Sequence, residues 1–231
     1  MPAALRRRVA GVDGCRAGWV VALVPEEGGG PSELHVVASF ADVLALRPSV
    51  IAVDMPIGLS DSGPRACDTA ARRLLGPRRA SVFPAPLRAM LAASSHAEAN
   101  AMGRRIDGRG VSHQAFNLIP KIRELDAHVT TRSRRRIVEA SPELCFALLL
   151  GAPCAEPKRA PAGRAARLAA IAAIHPDVVD RLAEPRPGAA VDDVLDAFAL
   201  TVTARRVASA TAERLGDGSR DARGLRLEIN L

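Results

Sequence analysis

The chain has 231 residues, 48 % of them apolar and 25 % charged, the balance of an ordinary globular protein with length for one large domain. Aromatic residues make up 3 % and tyrosine is absent, so the core has to be built from Ala, Val, Leu and Ile. Basic residues exceed acidic ones by seven, a charge that draws a protein towards polyanions such as nucleic acid; only Lys121 and Lys158 are lysines, and so arginine-heavy a chain also follows from coding bias alone. No stretch reaches the roughly 18 uncharged apolar residues of a membrane span. The four cysteines show no C-x-x-C spacing, which excludes a zinc ribbon and fits a reducing cytosol; a cytoplasmic protein is expected.

In chain order, Val9 to Asp13 reads as a first strand, Gly14 to Gly18 as a tight reversal, Trp19 to Val24 as a second strand and Leu34 to Phe40 as a third, together an antiparallel meander. Ala41 to Arg47 has room for two helical turns before Pro48. Val50 to Val53 is a fourth strand running into Asp54, and Met55-Pro56-Ile57-Gly58 ends it, because proline cannot donate to a ladder. A right-handed crossover sets this strand parallel to an earlier one. If that neighbour is the first strand, Asp13 and Asp54 stand at the same end, strands being about 4.8 Å apart. Gly11 and Ala52 share their faces and leave room for another element to approach. Asp54 reads either as a site acid beyond a strand end or as a turn cap.

Helices are predicted over Gly63 to Gly76, with Arg65, Asp68, Arg72 and Arg73 at polar positions, over Leu87 to Met102, and over His113 to Val129, kinked at Pro120. Pro77 to Pro86 reads as extended. Residues of about 63–130 thus form a helical insertion that walls a substrate site. Arg136 to Ala140 is a fifth strand, followed by a helix from Ser141-Pro142-Glu143 to Leu150. Glu143 there is a site acid or a partner of the helix dipole. Gly151 to Gly163 reads as an exposed loop, Arg164 to Ile174 and Asp177 to Ala183 as helices, and Val191 to Leu215 as a long last helix. Asp193 and Asp196 fall on one face of it; Asp192 and Asp193 also suit the cap and the helix dipole, Asp192 above all. Leu225 to Ile229 reads as a terminal strand.

The collected acids are therefore Asp13, Asp54, Glu139 or Glu143, and Asp196 with Asp193. Carboxylates gathered in one place repel one another unless a cation neutralises them, and oxygen ligands suit Mg²⁺ or Mn²⁺. Two such ions cleave phosphodiesters by activating water and stabilising the leaving oxygen. The five histidines form no ligand motif.

The element order, with acids on the first strand, the fourth strand and the last helix, resembles the RNase H-like fold of Holliday-junction resolvases. The stretches GVDGCRAGWVVAL (11–23), IAVDMPIGL (51–59), RACDTAARRLLGPRRASVFPAP (65–86), PKIRELD (120–126), VEASPELCF (138–146) and DDVLDAFA (192–199) more closely resemble the family called domain of unknown function 429, regarded as nucleases of that fold. The resemblance implies a single α/β domain over 1–231 with a mixed five-stranded sheet flanked by helices. It implies Asp13, Asp54 and Asp196 as metal ligands, with Glu139, Glu143 or Asp193 completing the site. Arg65, Arg72, Arg78, Arg79, Ser81 and Lys121 fall in the other matching motifs as candidate phosphate holders, Lys121 being either a compact ammonium beside the acids or a solvated surface lysine. Where the family often has histidine before the Pro-Glu pair, this chain has Ser141. The expected activity is metal-dependent phosphodiester hydrolysis, with a non-catalytic nucleic-acid-binding protein and an ATP-dependent phosphotransferase as alternatives.

Overall fold

Five strands form one mixed sheet in the order β3-β2-β1-β4-β5 in a computed structural model that describes residues 7–231. β1 (Arg8–Cys15), β2 (Gly18–Pro25) and β3 (Glu33–Val37) make the antiparallel meander, and β4 (Val50–Val53) and β5 (Ile137–Glu139) continue it parallel to β1. The order, the mixed directions and the flanking helices match the RNase H-like description. The strand periodicity sorts the two faces cleanly. Val9, Val20, Ala22, Ala52 and Val138 pack under the last helix, while Ala10, Val12, Val21, Ile51 and Val53 pack against Phe40, Ile122 and Leu125.

The final long helix, α8 (Val191–Ala208), crosses β1 on the first of these faces. Its closest approach is at Gly11, where a Cβ would stand 1.9 Å from the Ala197 carbonyl oxygen. The absent side chain there lets a helix backbone lie directly on the strand. The opposite face carries α1 (Phe40–Ala45) and α4 (His113–His128). Trp19, wholly buried, meets Phe40 edge to face with ring centroids 5.3 Å apart, and its indole N–H donates to Glu124 of α4 at 3.1 Å. The Phe40 N–H donates to the same carboxylate at 2.5 Å, so one glutamate ties the insertion to the sheet.

Between β4 and β5 lie α2 (Ala66–Leu75), α3 (His96–Asp107) and α4, with 3₁₀ turns at Gly76–Ser81 and Arg88–Ala92. After β5 come α5 (Pro142–Leu150), α6 (Pro161–Ala172) and α7 (Val178–Ala183). Several expected boundaries move. β3 stops at Val37 because Ser39 caps α1, its hydroxyl accepting from the Asp42 N–H while the Asp42 carboxylate accepts from the Ser39 N–H, a capping box. The helix expected over Leu87 to Met102 is broken at Ser94-Ser95, where Ser95 caps α3 and Glu98 accepts from Ser94. Pro77 to Pro86, expected to be extended, begins in a 3₁₀ turn. The last helix ends at Ala208 rather than Leu215, because Ala210 adopts a left-handed φ of 59°. The chain then forms a two-stranded ribbon, β6 (Arg214–Leu215) with β7 (Ile229–Asn230), in place of a strand over Leu225 to Ile229.

Candidate active site

Asp13 and Asp54 stand at the carboxyl ends of β1 and β4. The ladder pairs Gly11 with Ala52 and Val12 with Val53, and the Asp54 N–H donates to the Val12 carbonyl at 3.0 Å. Both acids have the parity of Gly11 and Ala52, so both face α8. Having been seated on Gly11 through Ala197, α8 necessarily delivers the preceding residue, Asp196, to the same place. The Ala17 N–H, donating to the Gly188 carbonyl at 3.2 Å, fastens the approach to α8 onto the β1–β2 turn.

The three carboxylates act on one another electrostatically. Burial pushes the Asp13 carboxyl well above its ordinary range, and Asp54 and Asp196 push it further. Burial, then Asp196, raises Asp54 to about 7. Asp196 rises to about 6, again through burial, although a lysine holds it down. That lysine is Lys158, whose ammonium donates to Asp196 Oδ2 at 2.7 Å. Burial disfavours the ammonium, but Asp196, Asp13 and Asp54 together hold its pKa above the usual range. Asp13 accepts only from its neighbour's N–H, Gly14, at 2.7 Å, and the Asp54 carboxylate makes no hydrogen bond or ion pair among the described residues.

A cleft opens over these acids in two arms that share Asp54, Ser81, Phe83 and Ser141. The narrower, about 140 Å³, runs between Met55, Phe83, Pro86, Leu118 and Ile122 and is also lined by Asp13 and by Arg65, Asp68 and Glu139. The wider, about 340 Å³, is polar and holds Arg78, Gln114, Glu143, Lys158 and Asp196. The 76–86 segment and α4 form its outer wall, so the insertion lines the site. A larger surface hollow, about 750 Å³ between α2 and the 216–221 loop, contains none of the three aspartates.

The other expected site residues are engaged by the fold, although Glu139 lines the narrower arm and Glu143 the wider one. Glu139 pairs with Val53 in the ladder and so points to the sheet face opposite Asp54. There it accepts from the Arg65 guanidinium at 2.6 and 2.7 Å and from the Ile57 N–H at 2.6 Å. Burial raises its carboxyl to about 7 against the Arg65 charge that lowers it. Arg65 and Asp68, expected at polar positions, are buried; they pair with each other, Arg65 also reaches the Gly58 carbonyl at 3.1 Å, and Asp68 accepts from the Ala85 N–H at 3.1 Å. This knot pins the turn after β4, the end of β5 and the proline segment together. Glu143 is held by Arg167 at 2.8 and 2.9 Å, with Arg78 at 3.5 Å. Asp193 caps α8 by accepting from the Ala190 N–H at 2.8 Å, the role expected of Asp192, which instead lies 3.4 Å from Arg164.

Arg72 donates to the Arg79 and Val82 carbonyls, and the Ser81 hydroxyl to the Arg78 carbonyl. Lys121 lies 4.7 Å from the Trp19 ring centroid and donates to the Gly18 carbonyl. Of the candidate phosphate holders, Arg78 lines the polar arm, Ser81 both arms and Arg65 the narrower one, and Arg79 is exposed.

A family model described as Protein of unknown function (DUF429) matches residues 11–220. The chain belongs to this family. No curated protein and no solved structure gives a significant match. The DUF429 match spans every element that supplies a carboxylate to the cleft. It also spans Lys158, which no motif marks: it lies in the stretch read as an exposed loop, and only its rarity in an arginine-rich chain sets it apart.

The donor set suits a hard divalent cation. Three carboxylates on three elements are all driven towards protonation, one has no partner, and a cation is the group that relieves this. Among the described residues no three His, Cys, Asp or Glu side chains already converge at ligating geometry, and the one positive charge within the cluster is Lys158.

Proposed function

We propose that this DUF429 protein is a metal-dependent nuclease that hydrolyses phosphodiester bonds in the cleft over Asp13, Asp54 and Asp196. The observation that carries the reading is the meeting of Asp13 and Asp54, at the ends of β1 and β4, with Asp196 of α8 at one cleft; burial and mutual repulsion raise all three carboxyls, which favours a cation there. Asp13 and Asp54 would hold Mg²⁺ or Mn²⁺, and the bound ion would supply an activated water and charge stabilisation at phosphorus. The chain's own groups then have defined tasks. Arg78 and Lys158 present positive charge to phosphate oxygens in the polar arm, and the Arg65–Glu139 knot fixes the turn after Asp54. Attack by water on phosphorus breaks the P–O ester bond, water giving up one proton as the departing oxygen gains one.

A second reading, a nucleic-acid-binding protein without catalysis, is favoured by the Lys158–Asp196 pair, which neutralises part of the cluster without any metal. The two separate on a labelled panel of DNA and RNA substrates incubated with Mg²⁺, Mn²⁺ or EDTA, using wild type and Asp54→Asn side by side. Cleavage by wild type alone, abolished by EDTA, is the expected result. Retention on a gel without cleavage would favour the second reading, and neither binding nor cleavage would overturn both.

A further inference from the structure

We propose that Lys158 is a built-in second cation of the carboxylate site, so that the chain takes one divalent ion, on the Asp13 and Asp54 side, where its three aspartates would otherwise take two. The inference rests on the metal-dependent reading above and sharpens it. Lys158 Nζ lies 2.7 Å from Asp196 Oδ2, a charge-assisted bond of ordinary length. Asp196 is 4 % exposed, and a buried carboxylate so engaged has one oxygen committed before any ion arrives. Asp54, without a partner, and Asp13, bonded only to the adjacent Gly14 N–H, remain open.

The position of Lys158 is also constructed by its surroundings. It arrives on the connection between α5 and α6, and that connection is fixed by Arg167, which is 1 % exposed. Arg167 grips Glu143 through both carboxylate oxygens and donates to the Glu156 carbonyl at 3.2 Å and the Gly163 carbonyl at 3.0 Å. Gly163 closes the loop so tightly that a Cβ would stand 2.1 Å from the Pro157 carbonyl oxygen. The Ala160 N–H turns back onto the same carbonyl at 3.0 Å. Two buried constraints therefore flank Lys158 and aim it at α8. A chance meeting of a surface lysine with Asp196 needs no such scaffold. An ammonium carries one charge and has no exchangeable ligand positions; it can balance Asp196 and bond a phosphate oxygen, but it cannot activate water. Water activation is then left to the single ion.

Counting bound Mn²⁺ tests this directly, by electron paramagnetic resonance of free Mn²⁺ across a titration, for wild type, Lys158→Arg and Lys158→Met. The Lys158 side chain is 41 % exposed, so methionine leaves no buried cavity, and circular dichroism checks the fold. One ion per chain in wild type and Lys158→Arg, and two in Lys158→Met, is the expected result. Two ions in wild type, or a single ion in Lys158→Met at any affinity, would overturn the role of Lys158 and leave the metal site standing. No bound Mn²⁺ in any of the three would mean instead that the metal reading of the site has failed, and the inference with it.

Discussion

Asp54→Asn should make the metal-free protein more stable at alkaline pH while removing a candidate site acid. The Asp54 carboxyl is raised from its ordinary 3.8 to about 7 by burial and by Asp196. The folded state therefore binds more protons than the unfolded chain between those two pH values, and stability falls as pH rises through that window. A shift of about three pH units, at about 1.4 kcal/mol each, amounts to about 4 kcal/mol lost once Asp54 is ionised. Asparagine removes that loss but leaves an amide to satisfy, at a cost of about 1–3 kcal/mol, for a net gain of about 1–3 kcal/mol. At about 2–4 °C per kcal/mol for a chain of this size, the variant should melt about 2–12 °C above wild type. The assay is thermal unfolding of both proteins in EDTA at pH 5 and pH 8. The gap should be present at pH 8 and vanish or reverse at pH 5, where the wild-type carboxyl already holds its proton. Saturating Mn²⁺ should raise wild type and leave the variant little changed. A variant that melts below wild type at pH 8 in EDTA would refute the reasoning, because it would mean that ionised Asp54 is stabilised by partners rather than strained.

Glu139→Gln removes an acid that burial also raises, to about 7, but unlike Asp54 it leaves a buried partner behind. Arg65 keeps only Asp68, and breaking a buried pair costs about 3–5 kcal/mol, visible as a lower urea midpoint at neutral pH; an unchanged midpoint would argue against the knot. Gly11→Ala places a methyl 1.9 Å from the Ala197 carbonyl and should cost about 3 kcal/mol or more as α8 is pushed off β1, read by the same titration. Lys121→Met loses the contact over Trp19 and the bond to Gly18, worth about 1–2 kcal/mol. Its affinity for nucleic acid in a filter-binding assay should match wild type, since Lys121 is engaged by the fold rather than by phosphate.

The parts of the fold that were legible in the chain are those fixed by periodicity. Alternation along Val9 to Asp13 and Val50 to Val53, the reversal at Gly14 to Gly18, and the small residues Gly11 and Ala52 were enough to put Asp13 and Asp54 side by side and to require a close neighbour on that face. The helix spacing of Val194, Leu195 and Phe198 then supplied α8 and Asp196. What escaped was ionic pairing over long separations, which has no period. Arg65 and Asp68 sit at helical positions that read as polar and are in fact buried, because Glu139, 74 residues from Arg65, turns to the other face of the sheet and needs a cation. That turn was itself latent in parity: Val53 and Glu139 are ladder partners, and a residue one step from Asp54 must point away from it. Recognising it required the register between β4 and β5, and register across an insertion of this length is set by tertiary packing. The same logic accounts for the two lysines. Both stand where arginine is the habit of the chain, and residue type alone does not tell them apart. Lys121 is on an amphipathic helix whose inner face points to Trp19, so its helix decides for it; Lys158 is on an aperiodic loop, and only the grip of Arg167 on Glu143 and Glu156 sets where it goes.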